Sequence, residues 1–235
     1  MLSSLRASRL LTRLTCSVLF AVGFAHAQQS GVATVAFSCD FPGANPSHYG
    51  FSVTSARSAS YISDGKPNNA PASDGSSSND EGPFRMDFTL SSATTAHIFD
   101  LAKTAHYFEG NVDSKKKNVA STGDKSLVYH DAGRSNMASY NYSSVPAVQE
   151  LTTIFQDLSA AVEFGRRLDY EYRYQKLALD EELKRMEDTT TLQEVGPDLP
   201  AAVPVLQKIA DDSSVIVTVR ARAQRLLQHA GETAK

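Results

Sequence analysis

Hydrophobic and polar residues alternate strictly along Phe84-Arg85-Met86-Asp87-Phe88-Thr89-Leu90, the period of a β-strand with one buried face. Phe84, Met86, Phe88 and Leu90 fall toward a core, and Arg85, Asp87 and Thr89 toward water. The same period runs through Val35, Phe37, Cys39 and Phe41, and through Tyr49, Phe51 and Val53, resuming at Tyr61 and Ile62 after a stretch of small residues. Two weaker strands, Lys125 to His130 and Asn136 to Tyr142, flank Asp131-Ala132-Gly133-Arg134-Ser135, which reads as a Gly-containing hairpin loop. One helix interrupts the strands. Ser91 or Ser92 caps it, Ile98, Leu101, Ala105 and Phe108 share its apolar face, and it stops before Gly110.

After Pro146 the period lengthens to that of a helix. Val148, Leu151, Phe155, Leu158 and Val162 form a stripe that continues past Gly165 through Leu168, Tyr172, Leu177, Leu183 and Met186. This predicts one long helix, or two joined near Gly165, with i, i+4 pairs of Asp180 with Lys184 and Glu181 with Arg185 on the exposed side. Its first half is expected to cover the sheet and its second to project from it. Gly196-Pro197 ends the region. A further helix capped by Asp198 runs through Ala210, with Pro204 tolerated in its first turns. Asp212 or Ser213 opens the last, with Ile216, Val219, Ala223 and Leu226 on one face. The β-branched run Val215-Ile216-Val217-Thr218-Val219 favours a strand by propensity, but the three-four spacing that continues to Leu227 favours helix.

The fold class expected is α+β: a small antiparallel sheet of four to five strands with one covering helix, then a long helix and a C-terminal helical hairpin. Residues 28–145 form the β-rich part and 146–235 the helical region that packs on the sheet and projects from it. Within the first part, 17 of the 21 residues from Ser63 to Pro83 are Ser, Asp, Gly, Pro or Asn. None is a large apolar, so the segment reads as a disordered loop.

Composition adds a compartment. Arg6, Arg9 and Arg13 precede an apolar run, Leu14 to Phe24, which ends in the small-x-small signal Ala25-His26-Ala27. These are the three parts of a cleavable secretory signal over residues 1–27. The run is about 11 residues, short of the roughly 20 a transmembrane helix needs, and no later segment is longer, so no membrane span is expected after cleavage. The expected location is periplasmic or secreted. Without the leader's three arginines, 20 of the 23 basic residues stand against 26 acidic ones, a net charge of −6. That balance argues against a nucleic-acid partner. Only Cys39 remains of the two cysteines, so no intramolecular disulfide can form, and its place in a strand alternation reads as packing.

Candidate chemistry is thin. His97 and His106 are nine residues apart and so on opposite faces of a helix. HExxH, Cys-x-x-Cys and acidic metal loops are absent, and neither metal nor cofactor is expected. Gly123-Asp124-Lys125-Ser126 lacks the earlier glycine of a phosphate loop and leads into a strand, so it reads as a turn. The carboxylates at 169–182 interleave with Arg and Lys and read as a solvated, charge-paired face. Arg166 and Arg167, followed by Tyr170 and Tyr174 on one face, combine the residue types that dominate interface hot spots, and mark a possible partner surface.

The stretch from Ile98 to Leu227 resembles a group of uncharacterised exported proteins of soil bacteria that carry a domain of unknown function. The residues that carry the resemblance are Gly123-Asp124-Lys125-Ser126-Leu127 with Tyr129, Val148 to Phe155, Gly165-Arg166-Arg167-Leu168, Tyr172 to Leu177, and Val205 to Ala210. It implies one continuous unit and no activity. The expected function is therefore that of a non-enzymatic binding or envelope-associated module whose partner is an unknown protein or envelope component. The alternative is a small periplasmic hydrolase with a site assembled from distant residues around His97, His106 and His130.

Overall fold

The computed structural model describes residues 31–65, 83–115, 121–188, 199 and 202–233. The expected leader, most of the Ser63–Pro83 loop, Gly196-Pro197 and Asp198 lie outside the described residues. The architecture is α+β. Six antiparallel strands, β1 (Thr34–Asp40), β2 (His48–Thr54), β3 (Ser58–Ser63), β4 (Phe84–Thr89), β5 (Asp124–His130) and β6 (Ser135–Tyr140), form one sheet in the order β4-β3-β2-β1-β5-β6. The helices are α1 (Ser92–Thr104), α2 (Pro146–Tyr174), α3 (Leu179–Met186), α4 (Val203–Asp211) and α5 (Val217–Thr233). Six strands slightly exceed the expected four to five; the run expected to resume at Tyr61 and Ile62 is a full strand, β3, of sequence SASYIS.

The alternation becomes burial. Register pairs Phe37 with Phe51 on one side and Leu127 on the other, so these side chains lie on one face with Val35, Cys39, Val53, Tyr61 and Tyr129. Phe155 of α2 lands at the centre of that face, stacked on Phe37 at 5.0 Å and tilted against Phe51 at 5.6 Å. Leu90 is fully buried, whereas Phe84, Met86 and Phe88 are half-buried because β4 is an edge strand. Phe41 departs from the expected pattern. It lies beyond the end of β1 and is exposed, since the chain turns away after Asp40.

The α1 helix is capped as expected, Thr94 N–H donating to Ser91 Oγ at 3.0 Å. It gives way at Ala105 to a 3₁₀ turn, His106–Phe108, that still buries Phe108. The α2 helix is one element, unbroken at Gly165, and its 29 residues span about 44 Å. Its first half covers the sheet through Val148, Leu151, Phe155, Leu158 and Val162. The second half extends past the sheet but is not a bare projection. Ala161, Phe164 and Leu168 enter a second core with Leu179 and Leu183 of α3, Leu206 and Ile209 of α4, and Val219, Ala223 and Leu226 of α5.

Three other expectations of the helical region are corrected. Leu177 is not in the stripe: the helix stops at Gln175 and Leu177 sits on the turn to α3, exposed. Ile216 also points to solvent, because the helix begins at Val217 and the buried residue before it is Val215. The run 215–219 is thus a turn leading into a helix. Finally, the i, i+4 pairs are replaced: tertiary packing brings Arg222 of α5 to Asp180 at 2.9 Å, and within α3 Arg185 takes Glu182, three residues back, at 2.6 Å.

Candidate functional site

The predicted partner surface comes apart when placed on the fold. Arg166 turns inward, donating from Nη1 to the carbonyl of Gly65 at 2.6 Å, pairing with Glu163 at 3.6 Å and stacking over Phe84 at 4.5 Å. Glu163 is itself buried and accepts from Tyr61 at 2.9 Å and Ser63 at 2.6 Å, so this cluster joins β3 to α2. Arg167 is bound to Glu182 of α3 at 2.9 Å. Only Tyr170 and Tyr174 behave as a surface pair, their rings 5.1 Å apart and Tyr174 exposed.

The histidines of the hydrolase alternative occupy separate elements. His97 on α1 contacts Glu150 of α2 at 2.7 Å, His106 is exposed where α1 ends, and His130 is exposed at the end of β5. Among the described residues no group of three His, Cys, Asp or Glu side chains is placed to hold a metal ion. Cys39 is buried, and burial pushes its thiol pKa up, which makes it a poor nucleophile.

Besides Glu163, sequence reasoning missed two further buried charges. Lys125, opposite Cys39 in the β1–β5 register, is almost wholly enclosed. Its ammonium donates to the carbonyls of Thr122 at 2.8 Å, Gly123 at 2.9 Å and Asn141 at 3.0 Å, and lies 3.0 Å from Thr122 Oγ1. Burial lowers its pKa, but three carbonyls for three N–H bonds hold the charged form as a tie between the start of β5 and the end of β6. Beside it a cleft of about 300 Å³ is lined by Tyr140, Asn141, Tyr142, Gln149, Thr152 and Gln156. The second charge is Glu171 of α2, 2% exposed, whose Oε2 has no hydrogen-bond partner among the described residues. Burial raises its pKa to about 7, with Glu182 adding to the rise, while Arg167 and Arg185, both already bound to Glu182, lower it only in part. A carboxylate among Arg and Lys reads as a solvated helix face in one dimension, so nothing in the sequence singled out Glu171.

Among the described residues, the sheet face away from α1 and α2 is uncovered. It carries Ala36 and Ser38 of β1, Gly50 and Ser52 of β2, Ser60 and Ile62 of β3, Arg85, Asp87 and Thr89 of β4, Ser126 and Val128 of β5, and Met137 and Ser139 of β6. Every one of these except Gly50 is partly or fully exposed, and none belongs to either core. Comparison with known proteins finds no matching family model, curated protein or solved structure. The side chains at the centre of this face are short, being Gly, Ala and Ser, and Ser38 and Ser126 hydrogen-bond across strands at 2.8 Å. Hydroxyls in adjacent strands repeat at about 4.8 Å, an array suited to an extended polar chain and too shallow to enclose a small molecule.

Proposed function

We propose that this chain is an exported, non-enzymatic binding module that associates with an envelope macromolecule, protein or polymer, through the open face of its sheet. Export rests on the leader pattern of residues 1–27, and the resemblance to exported bacterial proteins is consistent with it. The observation that carries the binding reading is a six-stranded sheet covered on one face, with small, mostly hydroxylated residues at the centre of the other and the charges Arg85 and Asp87 at its β4 edge. Antiparallel sheets tolerate one wet face, but wet faces are usually studded with long charged side chains. Here the centre is Gly50, Ser38, Ser52, Ala36 and Ser126, over which a partner can lie close to the backbone.

Substituting Ser52→Arg and Ser126→Arg places two long charges on that floor without touching the core. Recovery of envelope material on the immobilised protein is expected to fall at least fivefold, with the melting temperature unchanged. Equal recovery by the stable double variant removes the sheet face as the partner surface.

A further inference from the structure

The far end of the helical region gathers most of the large apolar side chains that stand exposed among the described residues. Of the six large apolar side chains exposed among the described residues, four sit there: Tyr174 at 70%, Leu177 at 94%, Ile216 at 60% and Val217 at 70%. Tyr174 and Leu177 belong to the α2–α3 junction and Ile216 and Val217 to the α4–α5 junction. The two junctions are held side by side. Lys176 Nζ donates to Asp212 Oδ2 at 2.7 Å and to Ser214 Oγ at 2.7 Å, and Tyr172 donates to Asp212 at 3.0 Å. Asp212 in turn accepts from Ser214 N–H at 2.8 Å, and these donors, Lys176 foremost, hold its carboxyl far below the usual range. The apolar residues thus ride on a fixed platform, with Leu179 and Val215 buried beneath it.

An aliphatic side chain 94% exposed on a turn stands proud of its surroundings, so this tip is a knob and not a groove. Four such side chains offer on the order of 500 Å² of apolar surface, and on a convex tip a protein partner would have to match them with a preformed hollow. A second copy meeting knob to knob would bury less than either offers. A bilayer needs no preformed complement, because lipid closes around a protrusion and buries it on all sides. The tyrosine pair Tyr170 and Tyr174, one turn back from Leu177, lies where rings settle at the headgroup level. Arg173 beside it is more exposed than its partner Asp169 and can turn toward headgroup phosphates, while Lys176 stays in the tie to Asp212 and Ser214. Asp211 and Glu181 are exposed at the same end, so net charge does not drive the contact.

From these observations we infer that the tip formed by Tyr174, Leu177, Ile216 and Val217 inserts into the interface of a lipid bilayer and docks the protein peripherally on a membrane. This goes beyond the binding-module reading and stands on a different part of the molecule, so either can fail alone. Among the described residues no helix is long and apolar enough to cross a membrane, and the contact proposed is with one leaflet.

The test is co-sedimentation of the full chain with phosphatidylcholine vesicles, alone and with one fifth phosphatidylglycerol, beside a Leu177→Ser/Ile216→Ser variant. Both substitutions are at exposed positions, and circular dichroism checks that the fold is kept. Partitioning is expected to drop at least tenfold in the variant on both vesicle types and to change little with salt. With Cys16 replaced by Ser so that the dye does not label the leader, a polarity-sensitive dye on Leu177→Cys should shift to the blue with vesicles, while the same dye on Met137→Cys should not; this separates the tip from any lipid binding by the leader. Equal partitioning of the variant, or no shift at position 177, overturns the inference. So does a vesicle-independent dimer in sedimentation velocity that the variant abolishes, which would assign the tip to a second copy.

Discussion

At the scale of single residues, two glycines with similar backbones separate conformational strain from crowding. Gly110 has φ +86° with open space where a Cβ would stand, whereas at Gly123, with φ +91°, a Cβ would lie 2.8 Å from the Asp40 carbonyl and 3.3 Å from Cys39 Sγ. Gly110→Ala is expected to cost about 1–2 kcal/mol, the strain of an L-residue in the left-handed region. Gly123→Ala should cost about 3 kcal/mol or more, because a backbone oxygen cannot step aside and the turn it closes positions Lys125. Urea denaturation of the two variants measures the difference; equal losses would show that the turn before β5 yields. In the sequence, Gly123-Asp124-Lys125-Ser126 was legible as a turn into a strand, but not that its lysine would be enclosed by the carbonyls of Thr122, Gly123 and Asn141. Asn141 arrives from the neighbouring strand end, so the cage exists only once β5 and β6 pair.

At the scale of elements, the packing of α2 against α3 carries a built-in pH dependence. Glu171 is buried there with one oxygen unpartnered, its pKa near 7, above the ordinary carboxylate value of 4.5. In the unfolded chain it loses its proton near the ordinary value, while the folded chain keeps it until about neutral pH. Its contribution is therefore fully present below about pH 4.5, falls as pH rises toward 7 and levels off above. Glu182 and Glu187, both lowered, slope the other way, but their window lies below about pH 4.5. Glu171→Gln keeps the shape and removes the charge. The variant should match the wild type near pH 4 and exceed it at pH 8 by on the order of 2–3 kcal/mol, read from chemical denaturation at the two values. A difference that does not change with pH would show that Glu171 is solvated or paired. The elements themselves were largely legible, since α1, α2 and β1 each carry an uninterrupted period. The end of α2 at Gln175 was not, because Leu177 continues the spacing closely enough to pass for stripe.

At the scale of the molecule, two hydrophobic cores share one helix. Val148 to Leu158 of α2 lie in the sheet core and Phe164 and Leu168 in the helical core, with Ala161 and Val162 adjacent at the handover. A continuous helix transmits the loss of either core, because unwinding one half exposes the backbone of the other. Leu183→Ala in the helical core is expected to cost about 2–5 kcal/mol. Far-UV dichroism, dominated by the helices, should still melt at the same midpoint as the near-UV tyrosine signal, to which the sheet-core rings Tyr49, Tyr61, Tyr129 and Tyr140 contribute. Separate midpoints would mean that α2 does not couple the cores.

What the chain determined by itself was periodicity and its consequence. Alternation from Val35 and from Phe84, and three-four spacing from Val148, state which side of each element is dry, because burial per element depends only on local geometry. The antiparallel α+β class follows from the order of those elements. Tertiary structure alone decided which dry faces meet and what polar groups the meeting traps. Arg166 and Arg167 read as a surface until β3 and α3 arrived to bind them, and Glu171 read as solvated until α3 covered it. The apolar tip likewise unites two turns some forty residues apart. Contacts at such separations depend on the closed chain, and a one-dimensional pattern holds no record of the partner.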